Sequence, residues 1–169
     1  ITLVRHGQTD ANFSNILQGR ANNLLNDTGR RQAKYLAMSI KEKHYDYCYM
    51  SPLVRCVETA LILIGDRVEM IPEKRLIERG LGELEGRPGE EYNSYSFWDY
   101  DKNRSDYGVE PIQDVFARCS EFLDYIKEKH YKCYCYEKVK ESIIELSKTK
   151  MTLKEFSFKA GVICHYLSD

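Results

Sequence analysis

The sequence predicts an α/β fold: a three-layer α/β/α sandwich with a mostly parallel central sheet. Three observations point there. Short β-rich runs alternate with helical periodicity along the chain, as parallel sheets require. The first run, Ile1–Val4, is uncharged and ends in Arg5-His6-Gly7, setting a cation and an imidazole at a strand's C-terminal end, where open α/β sheets bind ligands. The 169 residues are enough for one domain with its own core, and 1–169 is expected to form it.

Ile1–Val4 has the composition of a strand buried inside a parallel sheet. The polar stretch that follows, with Asn12, Asn15, Gln18, Gly19, Asn22 and Asn23, reads as loop. Ala33, Leu36, Ala37 and Ile40 then recur at helical spacing, with Asp27 or Thr28 placed to cap the helix. Tyr45–Met50 is the second strand, and a helix from about Leu53 to Ile64 ends at Gly65. Val68–Ile71 is the third strand, stopped by Pro72. Between Gly80 and Glu110, five glycines, Pro88 and a run of Tyr, Trp, Asp and Glu suit an irregular lid, placed at about 86–110. Its aromatics, Tyr92, Tyr95, Phe97, Trp98 and Tyr100, read as packing for that lid. Pro111 fits the first turn of another helix whose apolar face is Val115, Cys119, Phe122, Leu123 and Ile126. Beyond it, Tyr131–Tyr136 reads as strand, Glu137–Ser147 as helix and Ala160–Leu167 as a closing strand.

Lys+Arg 25 against Asp+Glu 26 leaves a formal net charge of −1, which gives no electrostatic reason to expect nucleic acid or a membrane surface as partner. Neither a signal peptide nor an apolar run of membrane-spanning length is visible, so a cytoplasmic protein is expected. The start at Ile1 rather than Met points to a trimmed chain. The six cysteines form no CxxC pair, and Cys133-x-Cys135 lacks a second pair at zinc spacing; reduced thiols and no metal are expected.

The chemistry-bearing residues cluster in four places. Arg5 offers a planar fork of donors and His6 can accept a phosphoryl group. Arg55, in Ser51-Pro52-Leu53-Val54-Arg55, falls in the first turn of a helix, where N–H groups and the dipole favour an anion. Glu78 stands beside glycines in Leu76-Ile77-Glu78-Arg79-Gly80. Asn12 and Gln18-Gly19 can offer amide donors from the loop after His6. Arg79 and Arg87 read as surface charges, with one of them able to reach the substrate as the alternative.

On these residues the chain resembles the histidine phosphatase superfamily, also called the phosphoglycerate mutase-like family. The matching text is Leu3-Val4-Arg5-His6-Gly7-Gln8-Thr9 with Asn12, Leu17-Gln18-Gly19-Arg20, Leu25-Asn26-Asp27-Thr28-Gly29 with Gln32-Ala33, Ser51-Pro52-Leu53 with Arg55 and Thr59-Ala60, and Glu78 with Gly82, Glu85 and Gly86. The resemblance implies a cofactor-independent phosphatase acting on a small phosphorylated metabolite. His6 would be the nucleophile, with a partner on its other ring nitrogen, and Arg5 and Arg55 would clamp the phosphoryl oxygens. Glu78 would act as general acid and base, while Gly7, Asn12, Gln18 and Gly19 would bind substrate. Mutases of the family carry extra basic residues in the lid, whereas here only Arg87, Lys102 and Arg104 are basic, so hydrolysis is expected.

The family's second half-site is a strand ending in His-Gly-Gly, a motif this sequence does not contain. Where it should fall, the chain reads Tyr131-Lys132-Cys133-Tyr134-Cys135-Tyr136-Glu137-Lys138-Val139. Either the second histidine is lost, leaving an impaired pseudophosphatase that binds a ligand or partner, or a segment near Lys132 is missing from the chain. The mixed aromatic, thiol and lysine composition of Tyr131–Tyr136, unlike that of a central parallel strand, favours the missing segment.

Overall fold

A computed structural model describes residues 1–92 and 95–129 of the chain. The strands expected over Tyr131–Tyr136 and Ala160–Leu167 and the helix over Glu137–Ser147 lie outside the described residues. So do His130, His165, Cys133, Cys135 and Cys164. The chain divides into two compact units, one formed by His6–Gly89 and the other by Ile1–Arg5 with the chain from Glu90 onward.

In the His6–Gly89 unit, the polar stretch expected as loop begins with one helical turn, α1 (Asp10–Phe13). Its cause is a reciprocal cap. Thr9 Oγ1 receives the Asn12 N–H and Asn12 Oδ1 receives the Thr9 N–H, both at 3.1 Å. Asparagine here takes the place usually held by Glu or Gln in such a box.

Helix α2 (Asp27–Ser39) follows, capped by Asn26 rather than by the expected Asp27 or Thr28. Asn26 Oδ1 receives the Gly29 N–H at 2.9 Å. This choice leaves the Asp27 carboxylate in the first turn, where the helix dipole favours it. The anticipated face is turned inward at Ala33 and Ile40, while Leu36 and Ala37 are half-buried.

Strand β1 (Tyr47–Met50) pairs in parallel with β2 (Glu69–Pro72), with Tyr47 opposite Glu69 and Met50 opposite Pro72. β1 is shorter than the run that marks it, β2 is shifted one residue along from Val68–Ile71, and Pro72 is the last residue of β2 rather than its stop. A proline cannot donate to a ladder and is tolerated at a strand's edge or end. The crossover between the strands is α3 (Val54–Ile64), which ends at Gly65 with φ +55°, a left-handed conformation that favours glycine. Helix α3 packs against α2 and buries Arg55, Thr59, Ala60, Leu63 and Ile64. This β–α–β unit is the α/β signature that the alternating pattern predicts.

Ile1–Val4, expected as a buried strand, is half-buried and belongs to no ladder among the described residues.

The glycine-rich stretch is irregular as anticipated. It holds a 3₁₀ turn at Gly82–Leu84, the single helical turn α4 (Gly89–Tyr92), and further 3₁₀ turns at Tyr95–Phe97 and Asp106–Gly108. Helix α5 (Ile112–Lys129) starts one residue after Pro111, whose carbonyl receives the Asp114 and Val115 N–H groups. It buries Ile112, Phe122 and Ile126, with Val115, Cys119 and Leu123 half-buried. Tyr100 meets Phe116 edge to face at 5.2 Å, and the Arg104 guanidinium lies over the buried Phe97 ring at 5.3 Å. Among the described residues no helix is long and apolar enough to cross a membrane.

Candidate active site

The turn after Arg5 is held by close backbone packing. A Cβ on Gly7 would lie 2.5 Å from the Gly29 carbonyl oxygen, so only glycine lets this turn approach the start of α2. The Gly7 N–H donates to Thr59 Oγ1 at 3.1 Å, and the Thr59 hydroxyl donates to the Arg55 carbonyl at 2.7 Å. His6 Nδ1 lies 2.7 Å from the Gly7 carbonyl oxygen. A carbonyl only accepts, so in the neutral ring Nδ1 carries the proton and Nε2 keeps its lone pair.

Asn12 and Gln18 both turn their amide oxygens toward the fully buried Thr9. Asn12 Oδ1 takes the Thr9 N–H, and Gln18 Oε1 takes the Asn23 Nδ2 group at 3.1 Å. The single Thr9 hydroxyl proton lies within reach of Asn12 Oδ1 at 2.9 Å and Gln18 Oε1 at 2.8 Å. Fixing both oxygens this way turns both NH₂ groups away from Thr9.

Arg55 is 1% exposed. Its Nη2 donates to the Gly19 carbonyl at 2.8 Å and its Nη1 to the Ala21 carbonyl at 2.9 Å. Its Nε is buried with no hydrogen-bond partner. A buried charged donor left unpaired is costly, and an oxyanion would complete it. Gly19 itself has φ +48°, and a Cβ there would fall 2.2 Å from Glu85 Oε1. That oxygen receives the Arg20 N–H at 2.8 Å and the Leu81 N–H at 3.2 Å.

Glu78 is exposed, and its Oε1 accepts the Arg79 N–H at 2.8 Å. Its backbone carbonyl accepts Arg20 Nε at 3.1 Å, which ties the Glu78 segment to the Gln18–Arg20 loop. Arg5 is exposed and belongs to the other compact unit. His6, Gly7, Asn12, Gln18, Gly19, Arg55 and Glu78 all fall within the His6–Gly89 unit.

One sequence reading needs correction. Arg79 is not a surface charge; it is 1% exposed. A charge set between another charge and a glycine resembles a solvated turn, but burial is decided by where tertiary packing points the side chain. Arg87 is exposed as expected. Sequence reasoning also passed over the bracing done by Thr9, Thr59 and Glu85. The Thr-x-x-Asn spacing of the α1 cap was readable, whereas nothing local marks a mid-helix threonine as a backbone anchor.

Beside Arg55, burial raises the Cys56 thiol above its ordinary value, with the Arg55 charge and a Ser51 hydrogen bond opposing. Cys48, Cys56 and Cys119 are half-buried thiols. Among the described residues no group of three or more His, Cys, Asp or Glu could hold a metal ion. An open depression of about 480 Å³ on the same unit, lined by Asp10, Ala11, Asn22, Leu24, Asp27 and Arg30 among others, includes neither His6, Arg55 nor Glu78.

The site is thus an imidazole of fixed tautomer, in a unit whose buried arginine lacks one acceptor, on a parallel α/β scaffold. The chain belongs to the histidine phosphatase superfamily (branch 1), whose family model matches residues 1–134. It is 33% identical over 140 residues to phosphoglycerate mutase-like protein 4 of Arabidopsis thaliana, covering 77% of this chain and 61% of that protein. It is also 33% identical over 135 residues to fructose-2,6-bisphosphatase TIGAR B of Danio rerio, covering 76% and 49%. Its structure matches a mycobacterial glucosyl-3-phosphoglycerate phosphatase in complex with VO3 at a TM-score of 0.64 and 26% identity, over 81% of this chain and 70% of that one. The fold is therefore the α/β fold of the phosphoglycerate mutase-like proteins. The chain spans about half to three-fifths of the length of the two curated relatives.

Proposed function

We propose that the protein hydrolyses a small phosphomonoester through a phosphohistidine at His6. One observation carries the reading: the Nδ1–Gly7 carbonyl bond at 2.7 Å leaves Nε2 as the nucleophilic nitrogen. Nε2 attacks phosphorus, the bond to the leaving oxygen breaks, and the Glu78 carboxyl gives that oxygen its proton. Water then attacks the phosphohistidine, Glu78 takes a proton from it, the Nε2–phosphorus bond breaks and inorganic phosphate leaves. Arg55, through its unpartnered Nε, and Arg5 offset the charge on the phosphoryl oxygens. The NH₂ groups of Asn12 and Gln18, turned away from Thr9, donate to the same oxygens or to the substrate, which the Gly7 and Gly19 backbones let approach closely. The chemistry calls for no cofactor or metal.

Hydrolysis is favoured over mutase transfer by the state of the basic residues between 86 and 110. Arg104 is paired with Asp106 at 2.7 Å and Lys102 with Asp99 at 3.5 Å, so both are engaged by neighbouring acids. The relatives named for phosphatase activity agree with this choice.

A second reading rests on the absence of His-Gly-Gly from the sequence. Its place, near Lys132, lies outside the described residues. Losing one preorganised electrostatic stabiliser lowers turnover about a hundred- to a thousandfold, which would leave a ligand-binding pseudophosphatase. Mass spectrometry after exposure to sugar phosphates and phosphoglycerates separates the two. A phosphoryl adduct on His6 that is lost in His6→Ala supports the enzyme. No adduct and no phosphate release across the panel refutes it.

A further inference from the structure

We infer that Thr59 is a positioning residue for the His6 nucleophile. The inference rests on the phosphohistidine reading above and deepens it. Gly7 carries the carbonyl that fixes the His6 tautomer, yet glycine is the residue with the greatest backbone freedom. Space forces that choice, since a Cβ would meet the Gly29 carbonyl oxygen at 2.5 Å. The turn must therefore be steadied from outside.

Thr59, 4% exposed on α3, does so. Its hydroxyl accepts the Gly7 N–H and donates its own proton to the Arg55 carbonyl, four residues back. A continuous chain of hydrogen bonds thus runs from the His6 ring through Gly7 and Thr59 to the backbone of Arg55. The peptide after Gly7 is held on its other side, where the Gln8 N–H donates to Gln32 Oε1 at 3.0 Å. That second tether is solvent-exposed and the Thr59 tether is buried, so Thr59 is the one that water cannot replace. Its hydroxyl gives its single proton to one partner and receives one from the other. It keeps the Gly7 carbonyl on Nδ1 and registers the nucleophile against the helix that bears Arg55.

The test compares Thr59→Val, which keeps shape and loses the hydroxyl, with Thr59→Ser, which keeps the hydroxyl. Thr59→Ala is read in the same way should the valine variant not fold. Nitrogen-15 NMR of the His6 ring reports the tautomer without any substrate, and rapid-quench labelling reports phosphoryl transfer. Thr59→Val is expected to move His6 from the Nδ1–H form to a mixture and to slow phosphohistidine formation at least tenfold, with KM changed less than twofold. Thr59→Ser restores both. An Nδ1–H ring in Thr59→Val with transfer within twofold of the parent overturns the inference, as does a serine variant no better than valine. If the parent takes up no phosphoryl group, the phosphatase reading fails, while the tautomer comparison still decides the role of Thr59.

Discussion

Replacing Gly29 by alanine sets two effects of opposite sign against each other. Gly29 lies in the first turn of α2, and alanine is the better helix former by about 0.8–1 kcal/mol. Propensity alone therefore predicts a more stable protein. Packing predicts the reverse. The new Cβ would fall 2.1 Å from the Gln8 carbonyl oxygen and 2.6 Å from the Gln8 nitrogen, whereas real Cβ contacts essentially never come under 3.0 Å. Relief needs a shift of 0.9 Å (3.0 − 2.1) by backbone rather than by a flexible side chain. The same Gln8 carbonyl accepts the Asn26 N–H at 2.9 Å, so the strain reaches the α2 cap as well. Overpacking of this kind costs about 1–3 kcal/mol. Set against the propensity gain, a net loss of up to about 2 kcal/mol is expected, which lowers Tm by up to roughly 8 °C in a chain of this size. Urea titration followed by circular dichroism measures it. A variant as stable as the parent, or more so, would refute the claim that this contact dictates glycine.

Three further outcomes are expected. Arg55→Lys removes the Nε donor assigned to the phosphoryl oxygens; with a charge-assisted bond worth about 1.5–3 kcal/mol, the affinity for inorganic vanadate, measured by calorimetry, falls roughly ten- to a hundredfold. The Arg75 guanidinium, 2.7 Å from Glu73, holds that carboxyl below its ordinary 4.5. Its stabilising contribution is complete above pH 4.5 and is lost as pH falls through the lowered folded value; the Tm gap between the parent and Glu73→Gln should accordingly close in acid, and a gap constant from pH 7 to 3 would contradict this. Because burial pushes the Cys56 thiol up, it stays protonated at neutral pH; iodoacetamide should label it at least tenfold more slowly than free cysteine, read by peptide mass spectrometry.

Helices α2, α3 and α5 were legible because amphipathic spacing is a local record of which face is buried. Gly65 was legible for a related reason, since a left-handed cap has few other residents. Candidate site residues are picked out only as types in order: Arg5, His6, Asn12, Gln18, Arg55 and Glu78 stand out by chemistry and by family spacing. What sequence could not supply was direction. Arg79 and Arg87 look alike in the chain, yet one is buried and the other exposed. Asn26 won the α2 cap from Asp27 through a backbone angle that composition does not record.

Glu85 has a consequence for anyone who transplants or redesigns this loop. One carboxylate oxygen serves the Arg20 and Leu81 N–H groups and fills the space a side chain at residue 19 would need. Residues 17–20 and 81–85 are therefore a single interchangeable part, although about sixty residues of sequence separate them. A graft that carries Gln18-Gly19 without Glu85 would bring the donors and leave behind the clasp that shapes them. Shortening Glu85 to aspartate would open room for a Cβ at position 19 only by unfastening both segments at once.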